Sequence, residues 1–201
     1  VLGWDLGSKD DMALVAWGWH PSRRELYEAG SWKKPGARAD EVMEQINKWE
    51  KLGMDFIAKV ADTGGGGRMY VEEVMSRYSQ VFEPAKKTDK LDHVRMMNDD
   101  LVSAFIKVQR GSLLAGELGA LPKDPNWDPD SGKPPGEDPR FPNHCTDAGL
   151  YSWRKALSYI DFEPAKEPES IDDRVERMDE EALAAVDEQE WWESESYDAE
   201  F

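Results

Sequence analysis

Residues 1–19, VLGWDLGSKDDMALVAWGW, decide the fold. Residues 1–7 and 12–19 are rich in Val, Leu and Trp, and the turn SKDD (8–11) separates them. Two apolar runs joined by a short polar turn read as a β-hairpin. A second turn, HPSRR, leads into ELYEAGSW (25–32), a third strand. Three strands with short links imply an antiparallel meander. One residue does not fit an ordinary core strand. Asp5 stands among Val1, Leu2, Trp4 and Leu6, and a buried carboxylate is costly unless a cation or hydrogen bonds hold it. The plain alternative is a strand-end Asp that caps a turn.

Beyond the meander the pattern alternates. Residues 39–52 place Val42, Met43, Ile46 and Trp49 at helical spacing, with Gly53 as the stop. FIAKVA (56–61) reads as a buried strand, 68–79 as a helix and 80–83 as a short strand. Lys90–Phe105 predicts a helix with Leu91, Val94, Met97, Leu101 and Phe105 on one stripe, followed by a turn to Gly111. Residues 119–142 hold seven prolines and read as a long loop with room for a small hairpin. Asn143 then caps a last helix, NHCTDAGLYSWRKALSYI. The order β-β-β-α-β-α-β-α-loop-α predicts an α/β fold, a mixed central sheet flanked by helices. No internal repeat is visible.

The charge is unevenly spread. Of the net −17, residues 161–201 carry −14, with 17 acids against 3 bases, which leaves the first 160 residues near neutral. The expected organisation is a domain over 1–160 and an acidic tail over 161–201, with Ile171, Val175, Met178, Ala182 and Val186 spaced as an amphipathic helix. The tail's acidity says little about the body's ligands. Cys145 is the single cysteine, which excludes an internal disulfide and a polythiolate zinc site. No apolar run reaches the ~20 residues of a membrane span. The chain opens directly on a strand, and we expect it to be part of a longer protein.

Two further positions carry chemistry. Asp62 ends the FIAKVA strand and precedes Thr63 and Gly64–Gly67. An acid there sits where open α/β sheets place ligands, although DTGG also reads as a solvated turn. No Gly-Lys-Ser/Thr follows the glycines, so this is not a P-loop. His144 and Asp147 lie three apart on the last helix and share a face; alone, such a pair is structural more often than not. Cys145 reads as a small buried residue. Oxygen ligands favour hard cations such as Mg²⁺ or Mn²⁺, and two such ions ~3.5–4 Å apart can hydrolyse a phosphodiester.

The stretches GWDLGSKDDMALVAWG (3–18), VADTGGGG (60–67), KKTDKLDHVRMMNDDL (86–101) and NHCTDAGLYSW (143–153) together resemble the nuclease domain of the phage terminase large subunit, of ribonuclease H-like fold. The last resembles that family's His-x-x-Asp-Ala-x-x-Tyr stretch. The resemblance spans about residues 1–160. It implies Asp5, Asp62 and Asp147 as ligands of two Mg²⁺ or Mn²⁺ ions, His144 near or in the site, and Asp10 or Asp11 as an auxiliary acid. It implies cleavage of double-stranded concatemeric DNA during genome packaging, in the host cytoplasm. It also implies an ATPase motor ahead of this domain, and partners such as the portal, the small terminase subunit or the procapsid. The acidic tail departs from the family pattern.

Candidate DNA-binding residues are Lys86, Lys87, Lys90 and Arg68, with Arg23, Arg24, Lys33, Lys34 and Lys133 as weaker ones; scattered solubilising charge is an equal explanation for any one of them. Three alternatives stand beside the packaging nuclease. One is another ribonuclease H-like nuclease, such as a junction resolvase. Another is a nucleotide-binding fragment like actin or sugar kinases, whose phosphate loops GWDLGS and DTGGGG resemble. Against it, the two loops are only 57 residues apart and the HxxD helix would have no role. The third is a non-enzymatic acidic interaction protein.

Overall fold

The computed structural model describes residues 1–7, 11–64, 67–128 and 136–160. The tail and its expected helix, Asp10 and Lys133 lie outside the described residues. Six strands form one sheet: β1 (Leu2–Asp5), β2 (Asp11–Trp19), β3 (Leu26–Pro35), β4 (Lys59–Ala61), β5 (Glu83–Pro84) and β6 (Ile106–Lys107), in the order β5-β4-β1-β2-β3-β6. β1, β2 and β3 pair antiparallel, as the meander predicts. β4 joins β1 in parallel, β5 joins β4 in parallel, and β6 joins β3 in parallel. The helices are α1 (Ala39–Lys51), α2 (Gly67–Tyr78), α3 (Lys90–Val102), α4 (Leu113–Ala120) and α5 (His144–Ala156), the last running into a 3₁₀ turn, Leu157–Tyr159.

Strand alternation sorts the core into two layers. Leu2, Trp4, Leu14, Ala16 and Ala61 face Val42, Met43, Ile46 and Trp49 of α1 and Val71 and Val74 of α2. Ala13, Val15, Trp17 and Val60 face the other way, onto Cys145, Ala148, Leu150 and Trp153 of α5, Leu114 of α4 and Met97 of α3. α1 ends as expected, with Gly53 at φ +93°. Trp17 and Trp153 are fully buried and both keep their indole N–H paired, to Gly149 O at 2.9 Å and to Asp100 Oδ2 at 3.0 Å. α5 comes so close to β1 that a Cβ on Gly3 would lie 2.0 Å from the Ala148 carbonyl oxygen and 2.5 Å from Ser152 Oγ. A side chain has no room there, which is why β1 carries glycine at its centre.

Two elements escape the sequence pattern. β6 is only two residues long, and the Phe105 carbonyl extends it by accepting the Leu26 N–H at 2.8 Å. The stripe expected to run helically to Phe105 therefore stops at Val102, and Ala104 turns the chain at φ +60°. α4, LLAGELGA, is a helix over a stretch to which the sequence assigns no element, and it runs into the first two residues of the expected loop. Its two glycines lower helix propensity and it lacks a polar face, so periodicity does not reveal it. The short strand expected over 80–83 lies at Glu83–Pro84. In the proline-rich segment, Lys123 and Glu137 form an isolated antiparallel bridge, consistent with the small hairpin.

Candidate functional site

Asp5 and Asp62 end adjacent parallel strands. Trp4 pairs with Ala61 in register, and the Asp62 N–H donates to the Trp4 carbonyl at 2.8 Å, carrying the ladder one residue further. Two residues on from Gly3 and Val60, both carboxylates fall on the α5 face of the sheet. The glycine run closes around Asp62. The Gly64 N–H donates to Asp62 Oδ1 at 2.7 Å, and a Cβ on Gly67 would lie 2.9 Å from the Asp62 carbonyl oxygen. Opposite them, α5 presents His144 and Asp147 on its first turn.

Each acid has its own basic partner. His144 Nδ1 lies 2.9 Å from Asp5 Oδ2, Lys87 Nζ 2.5 Å from Asp62 Oδ2, and Lys90 Nζ 2.6 Å from Asp147 Oδ1. Lys90 also donates to Glu137 Oε2 at 3.0 Å. Burial raises the Asp5 carboxyl above its ordinary value; the hydrogen bond and charge of His144 oppose the rise and the Asp62 charge adds to it. Burial pushes Asp147 up to about 6, against Lys90 and with help from Glu137 and Asp5. The His144 imidazole is raised, chiefly by its hydrogen bond to Asp5. Burial works against the Lys90 ammonium, but Asp147 and Glu137 outweigh it and the net shift is upward. The Tyr151 hydroxyl is held above its ordinary value first by burial, then by Asp147, Asp62, Asp5 and Glu137. The charges of all three predicted acids thus reach one phenol on α5.

The donor set suits a hard divalent cation in kind: three carboxylates and an imidazole. Asp147 Oδ1 is buried, and although Lys90 stands beside it, the approach lies outside hydrogen-bonding geometry, so that oxygen has a charge nearby and no aligned donor. The cage itself is not closed. Among the described residues, no three His, Cys, Asp or Glu side chains are gathered tightly enough to hold an ion. The acids are turned toward His144, Lys87 and Lys90 instead.

The structure gives the other predicted residues different surroundings. Asp11 opens β2 and lies 3.6 Å from Lys33 Nζ. Arg68 is exposed and pairs with Glu72 one helical turn on. Lys34 pairs with Glu41. Of the three lysines at 86, 87 and 90, two serve site carboxylates. Lys86 is exposed and makes no ion pair among the described residues. It lines a cleft of about 390 Å³ with Val60, His93, Tyr151 and Arg154. A larger cavity of about 500 Å³ lies over α1 and Tyr78, on the far face of the sheet. The buried Cys145 thiol is pushed up to about 12 by burial, with the Glu117 charge adding, so it is not a nucleophile.

Two site neighbours went unrecognised in the sequence. Glu137 sits in the proline-rich segment, where no periodicity points to it. Glu117 is 6% exposed and touches the first turn of α5. The signal for Glu117 was present: one acid inside an apolar, glycine-containing run, the same cue that singles out Asp5.

The class these features define is a ribonuclease H-like α/β fold: a mixed sheet whose antiparallel meander and parallel strands carry acids at the ends of β1 and β4, faced by a helix. Within that class the fold is that of phage large terminase nuclease domains. The chain superposes on the large terminase of a thermophilic bacteriophage with a TM-score of 0.63, at 16% identity, covering 78% of this chain and 38% of that one. It matches the P22 large terminase nuclease domain at TM-score 0.60 and 16% identity, over 78% of this chain and 80% of that one. It matches the g2p (large terminase) nuclease domain of bacteriophage SPP1 with bound Mn at 0.54 and 17%, over 77% and 85%. The chain spans less than two fifths of the length of the thermophilic phage terminase. No protein-family model matches the sequence, and no curated protein matches it. Among the described residues, no helix is long and apolar enough to cross a membrane.

Proposed function

We propose that the chain is a metal-dependent endonuclease that cuts double-stranded concatemeric DNA during phage genome packaging, as the nuclease part of a large terminase. The observation that carries this reading is the placement of Asp5 and Asp62 at the ends of neighbouring parallel strands, with Asp147 and His144 facing them from α5. The similarity to terminase nuclease domains, one of them with bound Mn, supports it.

Asp5, Asp62 and Asp147 would hold two Mg²⁺ or Mn²⁺ ions, with His144 beside them. Such ions, when bound, lower the pKa of a water and stabilise the leaving oxygen of a phosphodiester. The protein's own groups do the rest. With Nδ1 committed to Asp5, the His144 ring is fixed in orientation and keeps Nε2 for proton transfer. Lys87 and Lys90 stand at the carboxylates and can turn to the phosphates of a bound strand, with Lys86 alongside. The near-neutral body predicts weak DNA affinity in isolation. An ATPase motor, the portal, the small terminase subunit and the procapsid are the partners this reading assigns, in the host cytoplasm.

The test is plasmid cleavage in Mn²⁺ beside a four-way junction substrate. Asp5→Asn and Asp147→Asn should each abolish cutting and weaken Mn²⁺ binding by calorimetry while the domain stays folded. Full cutting by either variant refutes the site. Preference for the junction replaces packaging with a resolvase role.

A further inference from the structure

The first turn of α5 holds two of the four site residues, yet it lacks a cap of its own. The first amides of any helix need acceptors from outside the helix. Asn143 stands at the capping position, but its side chain makes no capping bond and donates instead to Glu137 Oε2 at 2.7 Å. Glu117 supplies the missing acceptor from α4. Its Oε2 takes the Cys145 N–H at 2.7 Å, the Thr146 N–H at 3.1 Å and the Thr146 hydroxyl at 3.3 Å. Its Oε1 takes Lys33 Nζ at 2.8 Å, and Lys33 in turn lies 3.6 Å from Asp11. A negative charge at this end also complements the helix dipole.

α4 is itself anchored. Ser112 caps it, accepting the Ala115 N–H at 3.0 Å and donating to the buried Glu28 at 2.7 Å. Leu114 packs where a Cβ on Gly149 would meet it at 3.2 Å. A chain of contacts therefore runs from β3 through α4 to the residues on either side of the Glu117 contact: His144 precedes Cys145, and Asp147 follows Thr146.

We propose that Glu117, salt-bridged to Lys33, is a positioning residue: it sets the axial place and rotation of the first α5 turn, so that His144 meets Asp5 and Asp147 faces Lys90. This rests on the nuclease reading above. In this role Glu117 acts through α5, whose first-turn amides it holds, and is not itself a ligand. Loss of an outer partner of this kind weakens metal binding or activity roughly 10–100-fold.

The experiment compares Glu117→Ala, Glu117→Gln, Asp147→Asn and Val42→Ala in the full chain. Val42→Ala truncates the opposite core and serves as the control for lost stability. Each variant is measured for Mn²⁺ affinity by calorimetry, for DNA affinity, and for kcat of plasmid cleavage. Glu117→Ala should weaken Mn²⁺ binding and lower kcat by about 10-fold or more with DNA affinity unchanged. Glu117→Gln keeps an oxygen for the amides and should lose less, about 3-fold, on the same scale; should the alanine variant fail to fold, this loss decides. Val42→Ala should keep native Mn²⁺ affinity and kcat. Native values in the folded Glu117 variants, or an equal loss in Val42→Ala, overturn the proposal. Native Mn²⁺ binding by Asp147→Asn overturns the nuclease site itself, and the positioning role with it.

Discussion

The two faces of the sheet are built on different principles. On the α1–α2 face the contacts are nearly all apolar: Leu2, Trp4, Leu14 and Ala16 against Val42, Met43, Ile46, Trp49, Val71 and Val74. Any side chains of similar volume that kept the spacing would hold that face together. The α5 face has an apolar centre too, but it also holds a glycine crossing, a buried glutamate bridging two helices, and carboxylates matched one by one with basic side chains. One face is specified by pattern. The other is specified by individual atoms, and burial there raises the Asp5 and Asp147 carboxyls above their ordinary values.

That contrast is sharpest at Asp147. On the proposed nuclease reading, Asp147→Asn should lower Mn²⁺-dependent cleavage by about 100-fold or more, the loss expected of a group that stabilises the transition state. The same change should stabilise the metal-free protein. The folded carboxyl sits at about 6 against an ordinary 3.8. The neutral form is therefore the one the fold favours; its contribution is whole below the ordinary value and is lost as pH rises through about 6. Asn should accordingly add about 1–2 kcal/mol at pH 7–8, less than the full shift because Lys90 is left with Glu137 alone, and the gain should vanish below about pH 4. Urea titrations across this range read it directly. A variant less stable than the parent at pH 8 would contradict the assigned cost.

The glycine crossing can be broken separately. Gly3→Ala must move the α5 backbone or β1 and should cost about 3 kcal/mol. Gly18→Ala in β2, where an added Cβ meets nothing within 4 Å, should fall within about 0.5 kcal/mol of the parent. Equal midpoints for the two would show that the crossing is looser than described. The smallest effect belongs to the other face. Ile46→Val should cost about 1 kcal/mol and leave Mn²⁺ affinity unaltered; a change in affinity would mean the two faces are coupled.

Much of this was legible beforehand, for reasons that differ by element. The meander, α1 and α5 follow from hydrophobic spacing and turn residues, which act locally. Asp5 and Asp62 stand out because an acid in an apolar strand needs a reason to be there, whereas Asp147 is marked by its spacing from His144 and by the family resemblance. α4 was hidden because Gly116 and Gly119 mask its helical tendency, and it is held by contacts with Glu28, Ser31 and α5 that are distant in sequence. The roles of Lys87 and Lys90 were also out of reach. Sequence marks them as bases near one another, whereas their partners, Asp62 and Asp147, are set by the sheet's topology. Asn143 stands at the capping position that the sequence predicts but makes no capping bond, because Glu137 takes its side chain.

Pairing each acid with an internal base has a consequence for how the domain comes into being. A zinc finger waits for its ion before it can collapse; here the polypeptide brings its own countercharge. We expect it to assemble in chelator as a single cooperative unit and to accept ions afterwards, so that loading becomes an exchange of lysine for metal. A broad, non-cooperative melt in EDTA that sharpens only on adding Mn²⁺ would show the opposite order of events.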